Sequence, residues 1–452
     1  MYKDIDKLYC YGKTAEELAA DVLNSYFEGE KPVIPIDPFK IMRDLGVVYQ
    51  FMDSKELEGV YLVPEYEGDI PIVGININRP ITRQRFTAAH ELCHHIKDKN
   101  SEICAIKEIT SSGMERYAEQ FAAALLMPRN LLYEYAQSFM TKGHVSMEDA
   151  LSIAEHFGVS FNACVRRLAY NLRILPFENN TQLSKDIKNF KPDKQKVARG
   201  IDRENIDLLK QVVDSYAFCY EKQDEFLWYK FKHSFLYNEN RMEGLKLDRE
   251  DVAEIVTDLR MNKQDSEYCK SGFDDIIQVL GHSEIYEYIL STNDHISAYR
   301  LLNLNKMLFK YAPYPEESGK TRDSNTLVLG AKFESYDYTK IPMALYNLDV
   351  LVQDAVSQKD LLSVSGFISK IAVIHHLITK IHPFRDGNGR CSRAFLNWML
   401  RLKKLPPIYI KVKDKETYYT ALKIADSTGN CKELERVIIH ELFNTIMRLN
   451  KV

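Results

Sequence analysis

His382-Pro383-Phe384-Arg385-Asp386-Gly387-Asn388-Gly389-Arg390-Cys391-Ser392-Arg393 decides how the C-terminal half of this chain is read. The stretch puts a candidate general base, a carboxylate, a Gly-Asn-Gly turn and two arginines into one short run that leads straight into a helical pattern. Each part suits phosphate chemistry. Gly387 and Gly389 permit backbone geometry that turns N–H groups toward an anion. The N-terminus of the following helix adds a favourable dipole. Arg390 and Arg393 lie three apart on that helix, and both can pair with phosphate oxygens. Asp386 offers a hard oxygen ligand for Mg²⁺ bound together with a nucleotide. His382 has the intrinsic pKa to accept a hydroxyl proton near neutral pH.

Outward from this stretch, the pattern from Asn205 onward is almost wholly helical; the exception is a short β-like segment over Asn325–Phe333, after Gly319. The stretch resembles the Fic family motif at every fixed position. The resemblance implies a protein AMP-transferase. His382 would deprotonate a target Ser, Thr or Tyr hydroxyl, which attacks the α-phosphate of ATP. Asp386 would hold Mg²⁺, and Asn388, the N–H groups of Gly387 and Gly389, Arg390 and Arg393 would hold the phosphates. Phe384 would pack in the core. Family members that phosphorylate carry Lys at the position of Gly389, so glycine there goes with AMP transfer. The lead-in with His375 and Ile381 agrees. Gly319-Lys320-Thr321-Arg322 and the β-like segment resemble the family's short β-hairpin flap, which aligns a target by strand addition. Tyr237-Asn238-Glu239-Asn240-Arg241-Met242-Glu243-Gly244 resembles the family's inhibitory helix, with Glu239 standing where Ser or Thr is expected. The resemblance implies that Glu243 pairs with Arg393 and blocks productive placement of the γ-phosphate. It also admits a reverse reaction, in which Glu243 positions water to remove AMP.

The N-terminal half carries a second constellation. Asp37 can cap a helix that Pro38 begins and Gly46 ends. Val47–Phe51, Val60–Val63 and Ile72–Ile77 read as strands of a small sheet. Helices are expected over Ile81–Ile96 and Met114–Met127. His90-Glu91-Leu92-Cys93-His94 lies on the first of these. Two histidines four apart on a helix face the same way and can share one metal, and the adjacent Glu91 can serve as general base toward water. His95 projects about a third of a turn away from His94. The third ligand is left open by spacing alone, because Glu115 and Glu119 share a face of the second helix.

Arg83–His95 and Glu115–Pro128, with the Ile36-Asp37-Pro38 helix and the Ile75-Asn76-Ile77-Asn78 strand, resemble the ImmA/IrrE metallopeptidases. The resemblance implies Zn²⁺ on His90, His94 and Glu115. It further implies a peptidase whose targets are helix-turn-helix repressors or other regulators. A third reading makes this domain only a target-binding module for the Fic site. Met147–Leu172 holds two helical stretches around Gly158-Val159-Ser160, read as a packing element of the same domain.

A chain of 452 residues exceeds one ordinary core, so two domains are expected. Between Pro176 and Gly200 the apolar pattern gives way to Lys185, Lys188, Lys191, Lys194, Lys196 and Arg199. The expected division is therefore an α+β zincin-like domain over 1–178, a charged linker over 179–204, and a mainly α domain over 205–452. A net charge of -4 argues against a dedicated nucleic-acid binder. The eight cysteines are scattered and read as reduced thiols, which points to the cytoplasm. No apolar run reads as membrane-spanning.

Overall fold

Asp37 and Pro38 start a helix as their chemistry dictates: the Asp37 carboxylate accepts from the Lys40 N–H at 3.0 Å, and Pro38 takes the first turn. In the computed structural model, residues 5–64, 70–98, 102–105, 113–201, 205–215, 234–244, 247, 249–260, 274–311, 318–326 and 335–449 are described. The chain divides into two units, Met1–Tyr216 and Ala217–Leu449.

The first unit opens with α1 (Ala15–Tyr26), held by a reciprocal Thr14–Glu17 capping box, and α2 (Pro38–Asp44). Four strands follow: β1 (Val48–Met52), β2 (Leu57–Leu62), β3 (Ile72–Asn76) and β4 (Glu102–Ala105). Their order is β1-β3-β2-β4, with β1 parallel to β3 and β2 antiparallel to both of its neighbours. Three strands match the expected runs, and β4 is an addition. Between β3 and β4 lies α3 (Ile81–Cys93), which ends in a π-helical turn over His94–Asp98. The helix α4 (Gly113–Leu126) packs on both α1 and α3. Ala118, Phe121, Ala122 and Leu125 of α4 are buried, as are Ala88, Ala89 and Leu92 of α3, against which it packs. The many small residues let the two backbones come close, and this sets the separation across which side chains can converge.

Then come α5 (Arg129–Gln137), α6 (Met147–Phe157) and α7 (Phe161–Arg166). Gly158, at φ +63°, turns the chain between α6 and α7, and a Cβ there would lie 2.6 Å from Arg85 Nη1 and 2.5 Å from Leu208 Cδ2. The turn is thus buried against its own unit, as a packing element must be. Arg85 is fully buried and donates to the carbonyls of Gly158 and Ile36 and to Gln211 Oε1.

The expected linker has a different structure. Residues 180–198 form two helices, α8 (Asn180–Phe190) and α9 (Pro192–Ala198), and α10 (Ile206–Ser215) still packs within the first unit. The physical reason is a narrow apolar stripe. Leu183 is buried, and Phe190 stacks on Phe161 with ring centroids 4.4 Å apart. Lys185, Lys188, Lys191 and Lys194 leave that stripe and disguise it. The division of the chain falls after Tyr216, beyond the expected 205.

The second unit is built of helices joined by loops, with no strand among its described residues. At its centre, Asn388–Leu402 is buried along nearly its whole length, with Phe395, Trp398 and Met399 in the core. Large aromatic side chains supply much of such a core's apolar burial. Helices Asp274–Ser291, Arg300–Leu308 and Val364–Ile381 pack around it. Val364–Ile381 is long and apolar enough to cross a membrane by length and composition, a run that the sequence reading passed over; half of it is buried inside the unit. The expected flap lies largely outside the described residues, since 327–334 are not among them. Its bracketing ends sit side by side: Ser335 Oγ donates to the Thr326 carbonyl at 2.8 Å, and Tyr338 N to Asn325 Oδ1 at 2.9 Å.

Candidate functional site

Helical spacing puts His90 and His94 on one face of the α3 rod, and α4 brings Glu115 up to them. Both imidazoles are buried. His90 Nε2 lies 3.1 Å from His94 Nε2 and 3.2 Å from Glu115 Oε2, while His94 Nε2 lies 3.6 Å from Glu115 Oε1. Two ligands at about 2.1 Å from one tetrahedral ion are about 3.4 Å apart, so this donor set fits zinc. Glu119, the alternative left open by spacing, is exposed on α4 and stands outside the cluster. His95 turns away and meets the Tyr61 hydroxyl through Nδ1 at 2.9 Å.

Glu91 is fully buried beside the cluster. Its carboxylate fits because β2 carries Gly59 opposite it: a Cβ at Gly59 would lie 2.4 Å from Glu91 Oε1. Cys93 is buried and stands outside the ligand set, as its angle on the helix requires.

In the second unit, helix Val364–Ile381 ends at His382, a non-glycine residue at φ +51°. Side chains rarely adopt this region without support. The next turn is closed by Asn388, whose amide Nδ2 donates to Phe384 O at 2.8 Å and whose Oδ1 accepts from Phe384 N at 2.9 Å. Asn388 was expected to hold phosphate. Its side chain staples the loop, and its N–H stands at the start of the helix. Gly387 takes φ +80° against Leu308 and Phe309, which leave no room for a Cβ. Asp386 is exposed, and Arg390 Nη2 lies 3.5 Å from both its oxygens. A carboxylate at the mouth of a phosphate-seeking turn fits the Mg²⁺ that accompanies a nucleotide.

Arg393 is buried and doubly paired. Nη2 donates to Glu243 Oε1 at 2.8 Å, and Nε donates to Glu239. These carboxylates come from the helix at 234–242 and the turn after it. That helix is anchored by Asn238 Oδ1, which accepts from Val412 N at 3.2 Å, and by Lys415 Nζ, which donates to Met242 O at 2.8 Å. Burial pushes the Glu243 carboxyl up, but the guanidiniums of Arg393 and Arg390 outweigh it and hold it below the ordinary range. Burial lowers Arg393, and the two carboxylates reverse this and raise it well above its usual value. Gly389 has a spatial reason beyond its expected one: a Cβ there would lie 2.5 Å from Glu243 Oε1.

Burial pushes the His382 imidazole below 6.5, and Arg322 acts in the same direction. Sequence reasoning missed two members of this neighbourhood. Glu239 was read only as a departure from Ser or Thr, although it is a direct partner of Arg393. Asn305 bridges the loop to its surroundings, donating to Asp386 O at 3.0 Å and accepting from Gly319 N at 2.9 Å. No local sequence signal marks Asn305.

Residues 42–169 match the IrrE N-terminal-like domain, and residues 295–400 match the Fic/DOC family. Among curated relatives, the protein adenylyltransferase Fic of Aedes aegypti is 28% identical over 167 residues, covering 36% of this chain and 31% of that protein. Its namesake from Nematostella vectensis is 28% identical over 153 residues, covering 33% and 34%. The chain thus spans about a third of the length of these relatives. Among solved structures, a Fic-1 fragment from C. elegans aligns with a TM-score of 0.43 at 17% identity, covering 73% of this chain and 91% of the fragment. A Fic domain containing signaling protein from Bacteroides thetaiotaomicron aligns at 0.44 and 20%, covering 54% and 94%.

Proposed function

We propose that this chain, which carries an IrrE N-terminal-like domain ahead of a Fic/DOC domain, transfers AMP from ATP to a protein hydroxyl and holds that activity in check with Glu243. The reading is carried by one observation: His382, Asp386 and the start of helix Asn388–Leu402 form one turn, and a carboxylate already occupies Arg393. The adenylyltransferase name of the relatives supports the reaction type.

In this reading the hydroxyl of a Ser, Thr or Tyr side chain attacks the α-phosphorus of ATP, and pyrophosphate leaves. His382 accepts the hydroxyl proton, and its depressed pKa keeps it neutral for that task at physiological pH. The N–H groups at the helix start and Arg390 hold phosphate oxygens, and Asp386 holds the Mg²⁺ that travels with ATP. Arg393 would take the γ-phosphate once Glu243 withdraws. With Glu243 in place, ATP binds in a poorly aligned pose. The decisive experiment is incubation with α-labelled ATP and a cell lysate, followed by mass spectrometry of modified peptides. Label from the γ-phosphate instead would make the protein a kinase.

For the first unit we propose a zinc endopeptidase, on the strength of the three converging donors. Zinc held by His90, His94 and Glu115 would supply Lewis acidity. The buried Glu91 carboxylate would accept a proton from the attacking water and deliver it to the leaving amine. A helix-turn-helix repressor or another regulator is the proposed target, and a metal-dependent cleavage product tests it against a pure target-binding role. Both reactions are placed in the cytoplasm, in keeping with the scattered thiols.

A further inference from the structure

Arg322 is 3% exposed, and apart from a 3.5 Å contact of Nη2 with Ser335 Oγ its guanidinium is directed at main-chain carbonyls. Nε donates to His382 O at 2.8 Å, Nη1 to Ser324 O at 2.8 Å, and Nη2 to Tyr336 O and, at 3.4 Å, to Ile381 O. The Arg322 N–H donates to Pro383 O at 2.8 Å. Three consecutive carbonyls of the catalytic turn, 381 to 383, are therefore held by one residue. Ile381 and His382 close helix Val364–Ile381, where carbonyls lack helical partners and a cation is favoured. His382 is also the residue in the left-handed region, which persists only where its surroundings over-determine it.

The other carbonyls on Arg322 belong to the two ends that bracket the target-aligning segment read from the sequence. Asp323 adds an ion pair to Arg385 at 3.0 Å. We infer that Arg322 is a positioning residue: its guanidinium clamps the turn that carries His382 to the chain ends that present the target, so base and hydroxyl are held in one frame. The inference rests on the AMP-transfer reading. An arginine is needed because its planar fork spans several carbonyls at once, which a lysine ammonium cannot do. Its charge also opposes protonation of His382. The other groups acting on that imidazole are Glu243 and Asp386, which favour protonation, and the Thr379 main chain, which does likewise.

The test compares Arg322→Gln and Arg322→Lys in a Glu243→Gly parent. Transfer from α-labelled ATP, binding of a non-hydrolysable ATP analogue by calorimetry, thermal melting and His382 titration by Cε1 NMR are measured on the full chain. The clamp predicts that Arg322→Gln lowers kcat about a hundredfold, the scale of a 1 Å misplacement. Analogue affinity should stay within about threefold, because the anion site is built elsewhere. The His382 pKa should rise in Arg322→Gln and return in Arg322→Lys, while the rate stays low in both. A merely structural residue would instead lower melting temperature, analogue binding and kcat together, and that result overturns the inference. So does an unchanged kcat in an active parent. A parent with no transfer at all sinks the AMP-transfer reading itself; the NMR titration then still decides the clamp, and an unshifted His382 rejects it. Should Arg322→Gln fail to fold, Arg322→Lys alone separates rate from charge.

Discussion

In the first unit, three side chains that seek a cation converge within 4.8 Å; in the second, two buried guanidiniums seek an anion and meet the chain's own carboxylates. The first site is assembled by rigid elements. His90 and His94 ride one helix, Glu115 another, and small residues between the helices fix the distance. The second is assembled by a turn in a strained conformation, stapled by Asn388 and clamped from outside. A rigid convergence of like-minded ligands suits a resident ion. Cations answered by internal carboxylates suit a ligand that must compete for them, and so suit control. The comparison therefore predicts that substitutions at the first site only lose function, whereas the second site can also gain it, when Glu243 is removed.

The largest effect belongs to His382→Ala. General-base removal costs on the order of 10²–10⁴ in rate, and transfer of α-label should fall by that much while analogue binding is kept. In the wild-type enzyme the acidic limb of kcat/KM should lie below pH 6.5, because His382 titrates below that value. Above that limb the base is neutral and competent; as pH falls through it the base is protonated and the rate drops. A limb at or above pH 7 would break the assignment.

The first unit offers the next contrast. Elemental analysis should find about one zinc per chain, given one site of three donors among the described residues, and His90→Ala and Glu115→Ala should lose it. Glu91→Gln should keep the metal and lose cleavage, while Glu119→Ala should keep both. Zinc at a hundredfold excess over its Kd should stabilise the unit by about 2.7 kcal/mol. Retention of zinc by Glu115→Ala would undo the three-donor centre.

A smaller change, of opposite sign, is expected from Glu243→Gly. Freed Nη2 of Arg393 can meet the γ-phosphate, and labelling should rise about a hundredfold if the restrained pose is misplaced by about 1 Å. Adding His382→Ala should return it to background. Label that accumulates only because removal has stopped would assign Glu243 to the reverse reaction, and a chase of pre-modified target with unlabelled ATP tells the two apart.

Much of this was legible in the chain because the signals were local. Four-residue spacing announced His90 and His94, and the glycines around Asn388 announced a tight turn at a helix start. Asp37-Pro38 gave its helix start correctly. Glu115 and Glu119 are equivalent along their own helix, and it was the family resemblance, not spacing, that chose Glu115, the one that joins His90 and His94. What escaped was set by distant partners. Lys185–Arg199 looked like a linker because a stripe one residue wide, Leu183 and Phe190, carries its packing. Arg322 gave no hint of its work, since the turn it holds lies about sixty residues downstream.

The two carboxylates on Arg393 allow the finest comparison, and its effect on transfer is the smallest. Glu239 is fully buried and Glu243 is 24% exposed. Burial raises the Glu239 carboxyl, although Arg393 opposes that rise. The inner carboxylate neutralises a guanidinium that would otherwise be buried with half its fork unanswered, whereas the outer one sits where phosphate must arrive. Glu239→Gln keeps shape and removes charge. It leaves Glu243 on Nη2, so labelling should stay within a few-fold of wild type, on the scale of a modest electrostatic change. Melting should nonetheless suffer, because weakening one partner of a buried ion pair can cost up to about 3–5 kcal/mol. In the Glu243→Gly background the same substitution strips Arg393 of both carboxylates, and its destabilisation should exceed the sum of the two single changes, since the residues share one partner. Strong activation by Glu239→Gln alone would mean that the inner carboxylate, not Glu243, withholds Arg393 from ATP.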